Sequence, residues 1–199
     1  CKVWDEDARD KLLWCLPLVG LEIGLVWWAL GLVCRYFGLT QAVTALVLCG
    51  APYFLTGFLH LDGFMDVTDA VKSYRDLERR REILKDSHVG SFAVIGCVLL
   101  ILAQFAFCVS FNLKTDLRML IVIPVVSRCC SALAVNGLPK MTTSQYARKK
   151  VRPADIWIPL LFLATALTFG FLLRFRCGLV LVVELAAYAL ALLRSYRSL

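Results

Sequence analysis

A chain of 199 residues that is 60% hydrophobic, with mean hydropathy +0.73, is too apolar for an ordinary soluble domain, in which about 45–50% of residues are apolar. Its net charge of +7 is not concentrated in a basic segment interleaved with aromatics, which argues against nucleic acid as a partner. The apolar residues fall in blocks without period-two alternation over a full strand length, which argues against a β-barrel, and an all-α, polytopic transmembrane helical bundle is expected.

In chain order, the opening segment CKVWDEDARDK carries both signs of charge and no cleavage pattern, and it starts without methionine, so residues are expected to precede Cys1. Six apolar blocks follow, at roughly 12–34, 39–59, 91–113, 117–138, 156–173 and 177–193. Each is predicted to be a helix crossing a hydrocarbon core about 30 Å thick, the last two being the shortest. The 60–90 segment between the second and third blocks is expected to form a cytoplasmic helical loop. With no internal repeat and no low-complexity linker, residues 1–199 are expected to form a single integral membrane domain.

Lys and Arg are unevenly shared between the connections. The N-terminal tail, the 60–90 loop, the 139–155 loop and the C-terminal tail hold three, six, five and two, while 35–38, 114–118 and 174–176 hold one, two and two. A split of sixteen to five places both termini and both long loops in the cytoplasm. This basic face suits anionic lipid heads and phosphate-bearing substrates. The nine cysteines lie mostly inside apolar blocks and form no C-x-x-C pair, so they read as small hydrophobes. Glu22 and Arg128 are charges inside spans, where they either pair with each other or line a wet cavity; for Arg128 a functional role is equally open.

The uncharged run 39–59 is followed at once by HLDGFMDVTD, residues 60–69. If 62–70 is helical, Asp62, Asp66 and Asp69 stand at i, i+4 and i+7 on one face. Aspartates favour helix starts, which accounts for one or two of them but not for three aligned at a membrane edge. Oxygen ligands alone suit a hard cation, Mg²⁺ or Mn²⁺, which takes one or two carboxylates and then substrate phosphates. The site is therefore expected to perform phosphoryl chemistry at the cytoplasmic membrane surface. The next stretch, KSYRDLERRREILKDSHVGSF, supplies Lys72, Arg75, Arg79, Arg80, Arg81 and Lys85, with Glu82 and Asp86 as another i, i+4 acidic pair. Most of these bases read as a solvated, salt-bridged helix. Lys85, Asp86 and Ser87 are the stronger candidates, because they end that helix just before Gly90 and re-entry into the membrane. His60 reads as a group orienting one of the aspartates, or as a general base; His88 reads as an exposed or phosphate-contacting residue.

Four stretches, LPLVGLEIG (16–24), TGFLHLDGFMDVTDA (56–70), REILKDSHVGSFAV (81–94) and VVSRCCSAL (125–133), resemble the cobalamin synthase family, the adenosylcobinamide-GDP ribazoletransferases, in order and spacing. The resemblance implies a Mg²⁺-dependent membrane transferase that takes adenosylcobinamide-GDP and α-ribazole (or its 5′-phosphate) to adenosylcobalamin (or its 5′-phosphate) and GMP. On that reading Asp62, His60, Lys85 and Asp86 are the candidate catalytic residues. Ser87, Arg128, Gly63 and Gly90 would contact substrate, and Asp62, Asp66 and Asp69 would hold Mg²⁺. The partners would be the two substrates and the lipid bilayer, with homo-oligomerisation left open. The chain departs from the family in ending CGLVLVVELAAYALALLRSYRSL, without the GG-x-x-GD motif, and in QYARKKVRPADIW after Arg128. It is therefore expected to be a piece of a longer protein or a divergent or inactive homologue. A CDP-alcohol phosphotransferase would need D-G-x-x-A-R, and Phe64-Met65-Asp66 does not supply the Ala-Arg step; a cation-coupled transporter would place its acids mid-span. The orientation has a direct test. Ser73→Cys, in the 60–90 loop, should be shielded from an impermeant thiol reagent in intact cells and labelled after the membrane is opened; labelling only from outside would overturn the topology.

Overall fold

The computed structural model describes residues 6–86, 88–110, 117–138 and 151–198. Among the described residues it is all helical, with eight α-helices and no strand: α1 (Glu6–Tyr36), α2 (Gln41–Leu55), α3 (Leu59–Lys72), α4 (Leu77–Ile83), α5 (Ser91–Ser110), α6 (Met119–Gly137), α7 (Ala154–Leu173) and α8 (Phe175–Ser198). Five segments are long and apolar enough to cross a membrane: Leu13–Tyr36, Ser91–Ser110, Met119–Gly137, Ala154–Leu173 and Cys177–Arg194. These correspond to the first, third, fourth, fifth and sixth expected blocks.

The second block departs from its expected bounds. The helix predicted over 39–59 stops at Leu55, and after a short break the chain continues as α3 at 87° to α2. The stop is a Schellman motif. The Phe58 N–H donates to the Tyr53 carbonyl (2.9 Å) and the Gly57 N–H to the Phe54 carbonyl (3.2 Å). Gly57 lies in the left-handed region at φ +58°, which costs glycine little. Phe58 follows it there at φ +61°, with its ring edge-on to Phe54 at 5.1 Å. Thr56 closes the end by donating its hydroxyl to the Pro52 carbonyl (2.8 Å). The six expected spans are therefore five whole helices and one bent pair.

The chain divides into two compact units. One comprises residues 1–28 and 116–188, the other 29–115 and 189–199. In the first, α6 packs along α7 around Val122, Val125, Val126, Cys129, Cys130, Ala166 and Leu181. Here α1 approaches α6 at two glycines spaced i, i+4. A Cβ on Gly20 would stand 2.6 Å from the Pro124 carbonyl oxygen, and one on Gly24 would stand 2.7 Å from the Ile121 Cα. Small residues at that spacing let helix backbones meet closely where lipid gives no hydrophobic drive for association. The same unit holds a fully buried carboxylate, Asp155, in the first turn of α7. It accepts from the Trp14 indole N–H on α1 and from the Arg152 backbone N–H (2.5 Å), and its carbonyl accepts from the Asn136 side chain on α6 (2.8 Å). Three helices are tied at one residue.

In the second unit α2 runs antiparallel along the C-terminal part of α5. Tyr53 donates to Gln104, Gln104 donates to the Cys49 carbonyl (3.3 Å), and Gln41 donates to the Val109 carbonyl. These bonds satisfy polar side chains that would be costly bare in hydrocarbon. The N-terminal part of α5 is covered by α3 instead.

Removing the carboxylate of Asp155 leaves the Trp14 and Arg152 donors without their acceptor. Asp155→Ala should lower unfolding stability in detergent by about 1–3 kcal/mol, the cost of orphaned buried donors, and Asp155→Asn by less because an oxygen acceptor remains. Equal stability of the parent and the alanine variant in a denaturant titration would show that the hub contributes nothing.

Candidate functional site

The helix expected over 62–70 is present: α3 spans Leu59–Lys72 and carries Asp62, Asp66 and Asp69 along one side. Its opposite side is apolar and packs on α5, with Ala70 fully buried and Thr68 and Phe64 against Gly96. Burial of that side turns Asp62 and Asp66 away from the helix contact and leaves Asp69 at its edge. Asp62 and Asp66 are exposed and Asp69 is half-buried. At about 1.5 Å rise per residue, Asp62 and Asp69 are separated by about 10 Å along the axis, so all three cannot converge on one point. Accordingly, among the described residues no group of three or more His, Cys, Asp or Glu side chains is placed to hold a metal ion. The arrangement is a row of oxygen donors, not a closed cage. It fits a cation that takes one or two carboxylates and completes its shell elsewhere, as Mg²⁺ does with phosphates and water.

The two loop motifs meet at one point. The Asp69 carboxyl group lies where a Cβ on Gly90 would be, so the end of the acidic row rests against the glycine that precedes α5. Gly90, expected to contact substrate, therefore has a packing role as well. Gly63 is different: nothing lies within 4 Å of the place where its Cβ would stand, and it leaves bare backbone beside Asp62 and Asp66. His60 is exposed in the first turn of α3.

The basic helix is shorter than the run of charge suggested. α4 ends at Ile83, capped at its start by the Asp76 carboxylate accepting from the Arg79 N–H (2.9 Å). Glu82 and Asp86 do not act as an acidic pair. Glu82 bonds Arg79 (2.5 Å), and Asp86 bonds His88 through Nδ1 (2.6 Å) and the His88 backbone N–H (3.1 Å). That bond holds the Asp86 carboxyl below the usual carboxylate range and raises the His88 imidazole above its ordinary value. Lys85 is exposed beside this pair. Ser87 lies outside the described residues.

Arg128 belongs to the other unit. It is half-buried on α6, and its Cγ lies 3.0 Å from where a Cβ on Gly20 would stand. The expected pairing with Glu22 is not formed: among the described residues no ion pair joins them, and Glu22 is exposed on α1. Gly20 and Glu22 are two residues apart and point to different sides of that helix. Sequence reasoning missed Asp155, Gly57 and Gly96. Gly57 carried a signal, as a glycine following an apolar helical run is a common helix stop.

The Asp86–His88 bond is strongest while the imidazole is charged. It is fully present below the ordinary histidine value, down to the titration of Asp86, and is lost as pH rises through the raised His88 value. The His88 titration followed by NMR should have its midpoint above that of an unperturbed histidine, and Asp86→Asn should bring it down. An unchanged midpoint in Asp86→Asn would show that the pair does not form in solution.

The family model described as cobalamin-5-phosphate synthase matches residues 1–199. A Clostridium perfringens strain SM101 protein named adenosylcobinamide-GDP ribazoletransferase is 46% identical over 147 residues, covering 73% of this chain and 58% of that protein. One of the same name from Clostridium botulinum strain Alaska E43 is 32% identical over 98% of this chain and 79% of its own length. One from Geobacillus sp. strain WCH70 is 38% identical over 72% of this chain and 56% of its own length. The chain thus spans little more than half the length of the first of these relatives. No solved structure matches the chain. With the family model matching along its whole length and these relatives beside it, the chain belongs to the cobalamin-5-phosphate synthase family.

Proposed function

We propose that this chain carries the phosphoryl-transfer site of an adenosylcobinamide-GDP ribazoletransferase, as its relatives are named, and acts in assembly of the cobalamin nucleotide loop. The substrates would be adenosylcobinamide-GDP and α-ribazole or its 5′-phosphate. A ribose hydroxyl of the ribazole other than the 5′ one, free in both α-ribazole and its 5′-phosphate, would attack the phosphorus on the cobinamide side of the diphosphate, with loss of its proton, and GMP would leave. The observation that carries the reading is the meeting of Asp69 with Gly90, which joins the HLDG-x-x-D-x-x-D row and the KDS-x-x-G segment at one place.

Asp62, Asp66 and Asp69 would share one or two Mg²⁺ with the diphosphate, each ion held by one or two of the carboxylates, and the metal would supply positive charge to the diphosphate oxygens. Lys85, exposed next to this region, adds a cation for the leaving phosphate. Gly63 lets a bulky substrate approach the α3 backbone. His60 orients an aspartate or takes the hydroxyl proton; phosphoryl transfer through a loose transition state asks little of a base early on. His88 is held by Asp86, which favours a positioning role for both. Positioning and electrostatics, not a covalent nucleophile, would account for the rate.

The site would face the cytoplasm of a multi-pass membrane protein. If the bent α2–α3 pair completes one crossing, both termini and the two long basic loops share a side, as the charge split requires. If the pair turned back, the 60–90 loop would fall on the opposite side from the N-terminal tail.

GMP release by purified protein with adenosylcobinamide-GDP, α-ribazole and Mg²⁺ tests the reading. Asp62→Asn should lower turnover by about a hundredfold or more, in line with the several kcal/mol that a metal ion gives a transferring phosphoryl group. Asp62→Ala should be the worst of the alanine variants, His60→Ala intermediate and His88→Ala mild. Near-normal turnover in Asp62→Asn at ordinary Mg²⁺ would overturn the metal assignment, and abolition of activity by His88→Ala alone would make His88 the base.

A further inference from the structure

The acidic row is held by a helix contact that reaches one residue outside the motif stretches, Gly96. Ala93 and Gly96 on α5, with Gly90 just before its start, recur every three residues on the side that meets α3; Ala93 is buried. Against them lie Thr68 and Asp69 of α3, with Ala70 fully buried beside them. A Cβ at Gly96 would stand 2.8 Å from the Thr68 methyl carbon, Cγ2, and 3.6 Å from both the Thr68 hydroxyl and the Phe64 ring. At Gly90 the same atom would fall on the Asp69 carboxyl group. The two obstructions are of different kinds. At Gly90 the carboxylate itself is in the way. At Gly96 the obstruction is a methyl on a short β-branched side chain, which has two rotamers open to it in a helix, so relief comes from moving α3 or from turning Thr68 against it.

Thr68 stands two residues after Asp66 and one before Asp69 on the same short helix. A displacement of α3 at Thr68 therefore moves both carboxylates as a body, and it withdraws Asp69 from Gly90. We propose that Gly96, by leaving room for the Thr68 methyl, is a positioning residue for the cation-binding row: it lets α3 lie close enough to α5 to present Asp66 and Asp69 where they stand. This rests on the reading of Asp62, Asp66 and Asp69 as cation ligands. Gly96 touches neither substrate nor cation; its effect reaches them only through α3.

The test uses Mn²⁺ as an oxygen-seeking spectroscopic probe and the detergent-purified protein, with binding followed by electron paramagnetic resonance and folding by thermal unfolding. Gly96→Ala should weaken Mn²⁺ binding by about tenfold to a hundredfold, the range seen when groups that orient metal ligands are changed. Thr68→Ser alone should bind as the parent does, since the hydroxyl stays. Gly96→Ala combined with Thr68→Ser removes the methyl that the new Cβ would strike, and should regain parental Mn²⁺ affinity. Rescue of this kind, with the unfolding midpoint restored alongside, supports the proposal. Parental affinity in Gly96→Ala overturns it. So does a double variant that folds but still binds weakly, because the loss then does not run through Thr68. If Gly96→Ala does not fold, the double variant decides alone: folded with parental affinity supports the proposal, and folded with weak binding or failing to fold overturns it. A parent protein that binds no Mn²⁺ is a separate result, which removes the cation reading and this inference with it.

Discussion

A cluster of like charges cannot follow an apolar helix into hydrocarbon, and the organisation of the 29–115 region depends on that constraint. An aspartate at the centre of a membrane helix costs about 2.5–3.5 kcal/mol on insertion scales, so three on one face could not be carried through a span. The uncharged run from Leu39 therefore has to stop or turn before Asp62. It does so in one step at Gly57, where the left-handed backbone closes α2 and redirects the chain by 87°. The polar groups that α2 leaves inside, on Gln41 and Tyr53, are answered by α5. Past the turn, α3 is a second, shorter helix whose apolar side can stay on α5 while its acidic side leaves it.

That division of one helix into two sides links packing to chemistry. Small residues on α5 let α3 lie close, and closeness is what makes the direction of its carboxylates definite. A row of three acids on a loosely held helix would present donors at no fixed spacing. Here one end of the row is seated against Gly90, and the adjoining Asp86–His88 bond orders the segment that leads there. The row is open, not a cage, which suits a reaction whose substrate brings its own phosphate oxygens.

The other unit solves a different problem. Its helices are almost wholly apolar, and in lipid apolar surface alone does not choose partners. Selection comes from Gly20 and Gly24, which admit the α6 backbone, and from Asp155, which binds groups from α1 and α6 at the start of α7. A fully buried carboxylate is tolerable there because donors surround it. Arg128 packs its stem beside Gly20 in the same unit, so its charge stands at the helix interface without Glu22 as counter-ion.

Composition and spacing were enough to establish the helical membrane class, five of the spans nearly to their ends, and the alignment of Asp62, Asp66 and Asp69. These are properties of a helix by itself: 3.6 residues per turn puts i, i+4 and i+7 on one side whatever surrounds them. The motif resemblance likewise needed only the order of residues, and the match along the whole chain bears the family out. Tertiary structure decided what depends on a second element. Whether Gly90 meets substrate or carboxylate, whether Glu82 and Asp86 stand together or each take a basic partner, and whether Glu22 reaches Arg128 are questions about distances between segments, which spacing along one segment does not contain. The end of α2 lies between the two cases. Gly57 marked a stop in the sequence, but a glycine in an apolar run is also a packing residue, as Gly20 and Gly24 are; only the backbone bonds from Phe58 to Tyr53 and from Gly57 to Phe54 distinguish the helix end from the helix contact.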